Sequence, residues 1–255
     1  MSGRVECVRE GSLATVVLVH EGKFNAMSRA MWRELRSVFV SLAAEEGLRS
    51  VVIRGQGGHF CAGGDIAEYP GFRHDEEALT RFHEDEVWGA LDAILQCDVP
   101  VVAAIQGNCM GAGVEIASCC DLRVAGESSR FGAPIAKLGF PMAPREAQLV
   151  AGAVGLATAR EMLLAAAVLD ARTLWQRGFL NRLVPDAEVF DTAQAWTTQM
   201  ASLSPLAARL NKRTLRDLGR GVPMDALVAQ AYTYADHAEH QEGIAAFLAK
   251  RSPQV

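Results

Sequence analysis

The chain has 255 residues, 50% of them hydrophobic and 22% charged, with a formal net charge of -5. That length supports one large domain or two small ones around a substantial core, and the acidic balance excludes a broad basic surface for nucleic acid while leaving room for a local phosphate-binding patch. No stretch approaches the roughly 18 to 20 apolar residues of a membrane span, and the opening MSGRVECVREGS has no apolar run of signal-peptide length, so the expectation is a soluble, cytoplasmic protein.

Residues 5–8 and 13–19 read as two strands of a hairpin around the turn Arg9-Glu10-Gly11-Ser12. A loop follows, and Ser28 is a candidate N-cap for a helix to about residue 44, with Met31, Leu35, Val38, Phe39 and Leu42 as its apolar stripe and Gly47 as its end. Residues 51–54 form a strand that leads through Gly55, Gly57 and Gly58 into a glycine turn, Phe60-Cys61-Ala62-Gly63-Gly64-Asp65-Ile66. A short helix over 66–69 breaks at Pro70-Gly71. The charged segment 72–86 reads as an exposed, mobile connection entering a helix that runs to about residue 96, where Trp88, Leu91, Ile94 and Leu95 belong to the core.

Residues 99–105 are an apolar run too short for an ordinary helix and rich in β-branched side chains, hence a buried strand. Gly111, Ala112 and Gly113 then let the backbone turn tightly before an apolar helix that begins with Val114, Ile116 and Ala117. Residues 121–125 and 129–132 read as short strands. This alternation of strands and helices predicts βαβ units and a largely parallel sheet. From Pro144 onward the chain is nearly all helical, with segments at about 144–151, 155–164, 171–177, 187–202, 205–218, 224–235 and 237–250.

The six cysteines form no CxxC pair and sit mostly beside apolar runs, which predicts reduced thiols. The histidines are scattered without an HExxH, and no metal site is expected. Two strand-to-small-residue turns, one at Gly64 and one at Ala112, can each aim one backbone N–H at a common point, a two-donor arrangement for an enolate or tetrahedral oxyanion. Glu115 lies three residues after Ala112, on the same helical face. Burial raises its pKa and the helix start lowers it. Two readings of it stand, a catalytic acid–base and a capping or ion-paired structural glutamate.

The segments FCAGGDI and GNCMGAGVEIA, with VPVVAAIQG before the second turn, DLRVAGESSRFGAPIAKLG after it and EGIAAFLAKR near the end, resemble the crotonase (enoyl-CoA hydratase/isomerase) superfamily from about Val5 to Arg251. The resemblance implies an α/β fold: a spiral of ββα units over residues 1–195 that binds acyl-CoA, followed by a helical oligomerisation region over 196–255. It implies a homotrimer, often paired into a hexamer, and no cofactor beyond the CoA thioester substrate. It also assigns roles. The N–H groups of Gly64 and Ala112 are the oxyanion donors, and Glu115 is the first catalytic glutamate. The backbone around Ala62 meets the CoA adenine, with Gly64 and Ile66 also on the CoA side. Lys23 stands near the CoA phosphates, or else is a solvated loop lysine. Phe247 and Lys250 contact the adenine and 3′-phosphate, often of a neighbouring subunit, or else belong to an amphipathic helix with Phe247 in the core.

The pattern breaks at one place. In hydratases a second glutamate follows the Phe-Gly-x-Pro motif; here Phe131-Gly132-Ala133-Pro134 is followed by Ile135, which carries no proton. Losing a proton carrier typically costs about 10² to 10⁴ in rate. Three repairs are open: Glu115 acts alone, which is preferred; another acid enters from residues 139–146, with Glu146 the nearest; or the substrate brings its own acidic group. Arg145 is expected to pair with Glu146 or Glu115. Two functions follow, an acyl-CoA hydratase or isomerase and an acyl-CoA-binding homologue with little hydratase activity. A thioester hydrolase or dehalogenase ranks below both, because no aspartate lies near Ala112 or Ile135.

Overall fold

The computed structural model describes residues 2–253. It opens with the antiparallel hairpin β1 (Arg4–Glu10) and β2 (Leu13–Val19), then α1 (Arg29–Ala43) and β3 (Ser50–Gly55). Next come α2 (Glu76–Arg81), a π-helical segment (Phe82–Val87) and α3 (Trp88–Gln96). The middle of the chain is β4 (Val101–Ile105), β5 (Asn108–Met110), α4 (Ala112–Cys119), β6 (Leu122–Gly126) and β7 (Arg130–Gly132). It continues with α5 (Pro144–Val154), α6 (Leu156–Leu164), β8 (Val168–Asp170), α7 (Ala171–Gln176) and β9 (Arg182–Val184). Four helices close the described chain: α8 (Val189–Ala201), α9 (Pro205–Gly219), α10 (Met224–Val228) and α11 (Ala238–Leu248).

Six strands form the main sheet in the order β1-β2-β3-β4-β6-β9, parallel after the first pair. Strands β2, β3 and β4 are near-continuous aliphatic runs because both faces of a parallel sheet are covered. On one face they pack against Leu35 and Phe39 of α1, Leu91 and Ile94 of α3 and Val114 of α4. On the other, Val52, Val102, Ala104 and Val124 meet Val189 and Ala193 of α8. A second sheet, β5-β7-β8, stands beside the first. Isolated bridges at Met27–Gly64 and Cys61–Cys109 extend this second wall backwards along the chain. Successive passes of the chain thus give one long strand to the main sheet and one short extended segment to the second wall before the next helix. This is the spiral of ββα units.

The helix expected after Ser28 is present, with the Ser28 hydroxyl accepting from the Met31 N–H at 3.3 Å. Trp32 joins its buried face and Val38 is only half-buried. Its end lies at Ala44 rather than Gly47. The larger correction concerns residues 72–86. They are not an exposed connection but the helical run α2 and the π segment, because Phe72 and Phe82 are buried with ring centroids 4.6 Å apart. Asp75 caps α2 by accepting from the Ala78 N–H at 2.7 Å. The C-terminal half is also not purely helical: β8 and β9 each add three residues to a sheet edge.

The point between residues 195 and 196 falls inside α8. Helix α9 is fixed to the core by Lys212, whose buried ammonium meets Asp121 Oδ2 at 2.7 Å and the Val99 carbonyl at 2.9 Å. All six cysteines are free thiols, five buried and Cys7 exposed. Among the described residues no helix is long and apolar enough to cross a membrane.

The two glycine turns lie so close that a Cβ on Gly113 would stand 2.7 Å from the Cys61 carbonyl oxygen. Gly113→Ala is therefore expected to destabilise the fold by about 1–3 kcal/mol, measured by urea unfolding; a neutral result would show that the turns separate without cost.

Candidate active site

Main-chain bonds lay the two turns side by side. The Cys61 N–H donates to the Asn108 carbonyl at 2.9 Å, and the Met110 N–H donates to the Cys61 carbonyl at 2.9 Å. From the other flank, the Met27 N–H donates to Gly63 O and the Asp65 N–H to Met27 O, each at 2.8 Å. Gly111 sits at φ 47°, ψ -110°, a conformation that favours glycine, and turns the chain from β5 into α4. These bonds use the neighbouring amides and leave out two. Among the described residues, neither the Gly64 N–H nor the Ala112 N–H donates to another protein group. Gly64 and Ala112 line the same cavity, of about 320 Å³. Ala112 also opens α4, where the helix dipole favours negative charge. Gly64 has its own steric reason to lack a side chain, because a Cβ there would collide with the Tyr69 hydroxyl.

Glu115 enters this cavity from the first turn of α4 and is 8% exposed. Its carboxyl has no hydrogen bond or ion pair among the described residues. Burial holds its pKa well above the ordinary carboxylate range, and the nearby Glu146 raises it further. The helix start does not offset that desolvation.

Glu146 is 2% exposed, comes from the first turn of α5 and lines the cavity too. Its Oε1 lies 3.0 Å from Nδ1 of His83. His83 belongs to the π-helical segment, a local widening of the helix that recurs at functional sites. A histidine ring can donate to a carboxylate or accept from a carboxylic acid, so this contact serves both protonation states of Glu146. Arg145 takes neither Glu146 nor Glu115. Its Nε donates to Glu84 at 2.8 Å and its guanidinium lies over Trp88. Ile135 faces the same cavity from a 3₁₀ turn (Pro134–Leu138).

Ala62 and Ile66 also line the cavity, whereas Lys23, Phe247 and Lys250 do not. Lys23 Nζ pairs with Asp65 Oδ2 at 2.6 Å. Phe247 is 83% exposed on α11 and Lys250 is exposed just beyond it, so Phe247 takes no part in the core of this chain. Sequence reasoning did not find His83, Tyr69 or Arg73. His83 lies in the charged string FHEDEV with no signal of its own. Tyr69 could have been found as the third aromatic beside Phe72 and Phe82, with which it packs edge-on. Burial pushes its phenol up to about 12.

The chain matches the enoyl-CoA hydratase/isomerase family over residues 9–255. It is 28% identical to a probable enoyl-CoA hydratase, echA8, of Mycobacterium bovis, covering 96% of this chain and 95% of that one. It is 32% identical to the 2,3-dehydroadipyl-CoA hydratase of Escherichia coli, over 90% and 89% of the two chains. Among solved structures, an enoyl-CoA hydratase/carnithine racemase from Magnetospirillum magneticum superposes with a TM-score of 0.94 at 35% identity, covering 98% of this chain and 94% of the other. Fold and cavity thus define an α/β acyl-CoA enzyme of the crotonase class. The chain belongs to the enoyl-CoA hydratase/isomerase family.

The raised pKa of Glu115 has a consequence for stability. A carboxyl whose folded pKa exceeds its unfolded value, about 4.3, stabilises most at low pH and loses that contribution as pH rises through the folded value. Glu115→Gln never acquires the charge. Its melting temperature is therefore expected to gain on wild type progressively from pH 5 to pH 8, followed by scanning fluorimetry. A pH-independent difference would show that the carboxyl is solvated.

Proposed function

We propose that the chain binds an acyl-CoA thioester with its carbonyl oxygen between the N–H groups of Gly64 and Ala112, and that Glu115 and Glu146 move protons at the adjacent carbons. One juxtaposition carries this reading: two unbonded amides and two buried carboxyls line a single, mostly apolar cavity. A thioester makes its α-proton abstractable only if the resulting enolate is held. Fixed donors in a dry site do this, each worth on the order of 3–4 kcal/mol. Glu115, pushed toward the neutral form by burial, is suited to deliver a proton. Glu146, held by His83, supplies the second carrier that Ile135 cannot. Hydration uses both as acid and base; a double-bond shift uses them to take a proton from one carbon and return it to another.

On this reading the backbone of Ala62 lies against the CoA adenine, and Gly64 and Ile66 continue that wall. Lys23 would meet a CoA phosphate from its pair with Asp65. Phe247 and Lys250 would reach CoA bound to a neighbouring copy, because their exposure on α11 leaves them without a role in their own cavity. The exposed apolar side chains Leu215, Met224, Tyr232, Phe247 and Leu248 support association through the C-terminal helices into a trimer or hexamer.

Crotonyl-CoA hydration and 3-enoyl-CoA isomerisation, measured on wild type, Glu115→Gln and Glu146→Gln, test the mechanism. Each substitution is expected to lower kcat by about 10² to 10⁴ with little change in KM. Wild-type rates in Glu146→Gln alone would return the chemistry to a single carboxyl. Tight acyl-CoA binding without turnover of any enoyl thioester would make the chain a binding homologue instead. Light scattering on the eluted protein is expected to give three or six chains per particle; a monomer would remove the association reading.

A further inference from the structure

Arg73 lines the catalytic cavity and is half-buried. Among the described residues its guanidinium makes no hydrogen bond or ion pair. Its contacts are two aromatic faces, with the guanidinium carbon 3.7 Å from the Phe140 ring centroid and 4.5 Å from that of Tyr69. This isolation stands out locally. Nearby Arg29, Arg81 and Arg145 each have a carboxylate partner, and Asp75, Glu76 and Glu77 follow Arg73 closely in the chain. Nor is Arg73 the counter-ion of the acid pair, since it bridges neither Glu115 nor Glu146, and its charge is felt at Tyr69 instead. Two stacked rings fix the plane of the guanidinium and leave its forked N–H edge without a protein acceptor. Such a fork matches a carboxylate.

The position is also informative. The Tyr69 hydroxyl sits against Gly64, and the face of the same ring carries Arg73. One tyrosine ring therefore separates the guanidinium from the turn that would hold the thioester oxygen, a span that a short acyl chain covers. We infer that the natural substrate is a short acyl-CoA whose acyl group ends in a carboxylate, and that Arg73, backed by Phe140 and Tyr69, holds that carboxylate. This rests on the acyl-CoA reading of the cavity and adds the substrate class.

The test uses saturated thioesters, so it does not depend on turnover. Dissociation constants for adipoyl-CoA and hexanoyl-CoA, and for glutaryl-CoA and pentanoyl-CoA, are measured by calorimetry on the full chain. Wild type is expected to prefer the carboxylated member of at least one pair by about tenfold or more. Arg73→Leu should bring that ratio close to one and Arg73→Lys should leave it intermediate, because an ammonium keeps the charge but not the fork. No preference in wild type overturns the inference, as does a preference that survives in Arg73→Leu. If Arg73→Leu weakens free CoA and all four thioesters equally, Arg73 serves a CoA phosphate and the inference is also lost. Selective binding without turnover of any enoyl thioester would sink the proposed chemistry while leaving the carboxylate site standing. Failure of every thioester to bind would remove both.

Discussion

The structure depends on two stretches of main chain lying against each other with no side chain between them. The strand segment around Cys61 and the one around Cys109 exchange backbone hydrogen bonds, and α4 starts where the second one ends. Such proximity dictates composition. Gly113 has no room for a Cβ, and Gly111 needs a backbone conformation that side chains resist. Donors fixed in this way require no reorganisation when negative charge appears in front of them, which gives an oxyanion site its advantage over water. The cysteines at the contact are packing atoms rather than nucleophiles. Cys61 and Cys109 are fully buried, and burial pushes the Cys61 thiol up to about 12.

Desolvation governs the acids as it governs the amides. Two carboxyls that share one apolar cavity cannot both be charged cheaply, so their protonation is coupled and belongs to the pair. Their surroundings differ. Glu115 has no polar partner, whereas Glu146 has the His83 ring. That asymmetry is what an acid–base pair needs, and it is built from elements far apart in sequence: α4, α5 and the π segment. It also moves the second carboxyl away from the turn after Pro134, where Ile135 now presents hydrocarbon.

The sheet and its covering helices were legible because buried parallel strands are continuous apolar runs and α1 carries a clean stripe behind a serine cap. The three-residue strands β5, β8 and β9 were not legible, since each owes its pairing to its neighbours rather than to its own residues. The segment 72–86 misled for a different reason. Its many charges suggest a solvated connection, but Phe72 and Phe82 between them are core residues. At the site, the glycine turns and Glu115 could be read from local pattern. Glu146 was one of several possible repairs, and a lone carboxyl acting without it was preferred. Nothing in PREAQ tells which way a side chain faces, and the neighbouring Arg145, expected to pair with it, turns to Glu84 instead.

Those misleading charges hold the cavity together. The Arg29 N–H, at the start of α1, donates to Glu68 at 2.7 Å, which fixes the turn that carries Ile66 and Tyr69. The Arg29 guanidinium lies over Phe72 and pairs with Glu86, which also meets Arg33 at 3.2 Å and sits in the π segment with His83. One helix terminus therefore secures two walls of the cavity, the one against Gly64 and the one behind Glu146. Glu86 is mostly buried, so removing Arg29 would leave a desolvated carboxylate with only the more exposed Arg33 for a partner, a larger penalty than an exposed ion pair carries. The placement of His83 against Glu146 thus depends on a network outside the cavity. A charged string that looked like solvated surface is the scaffold for the second proton carrier.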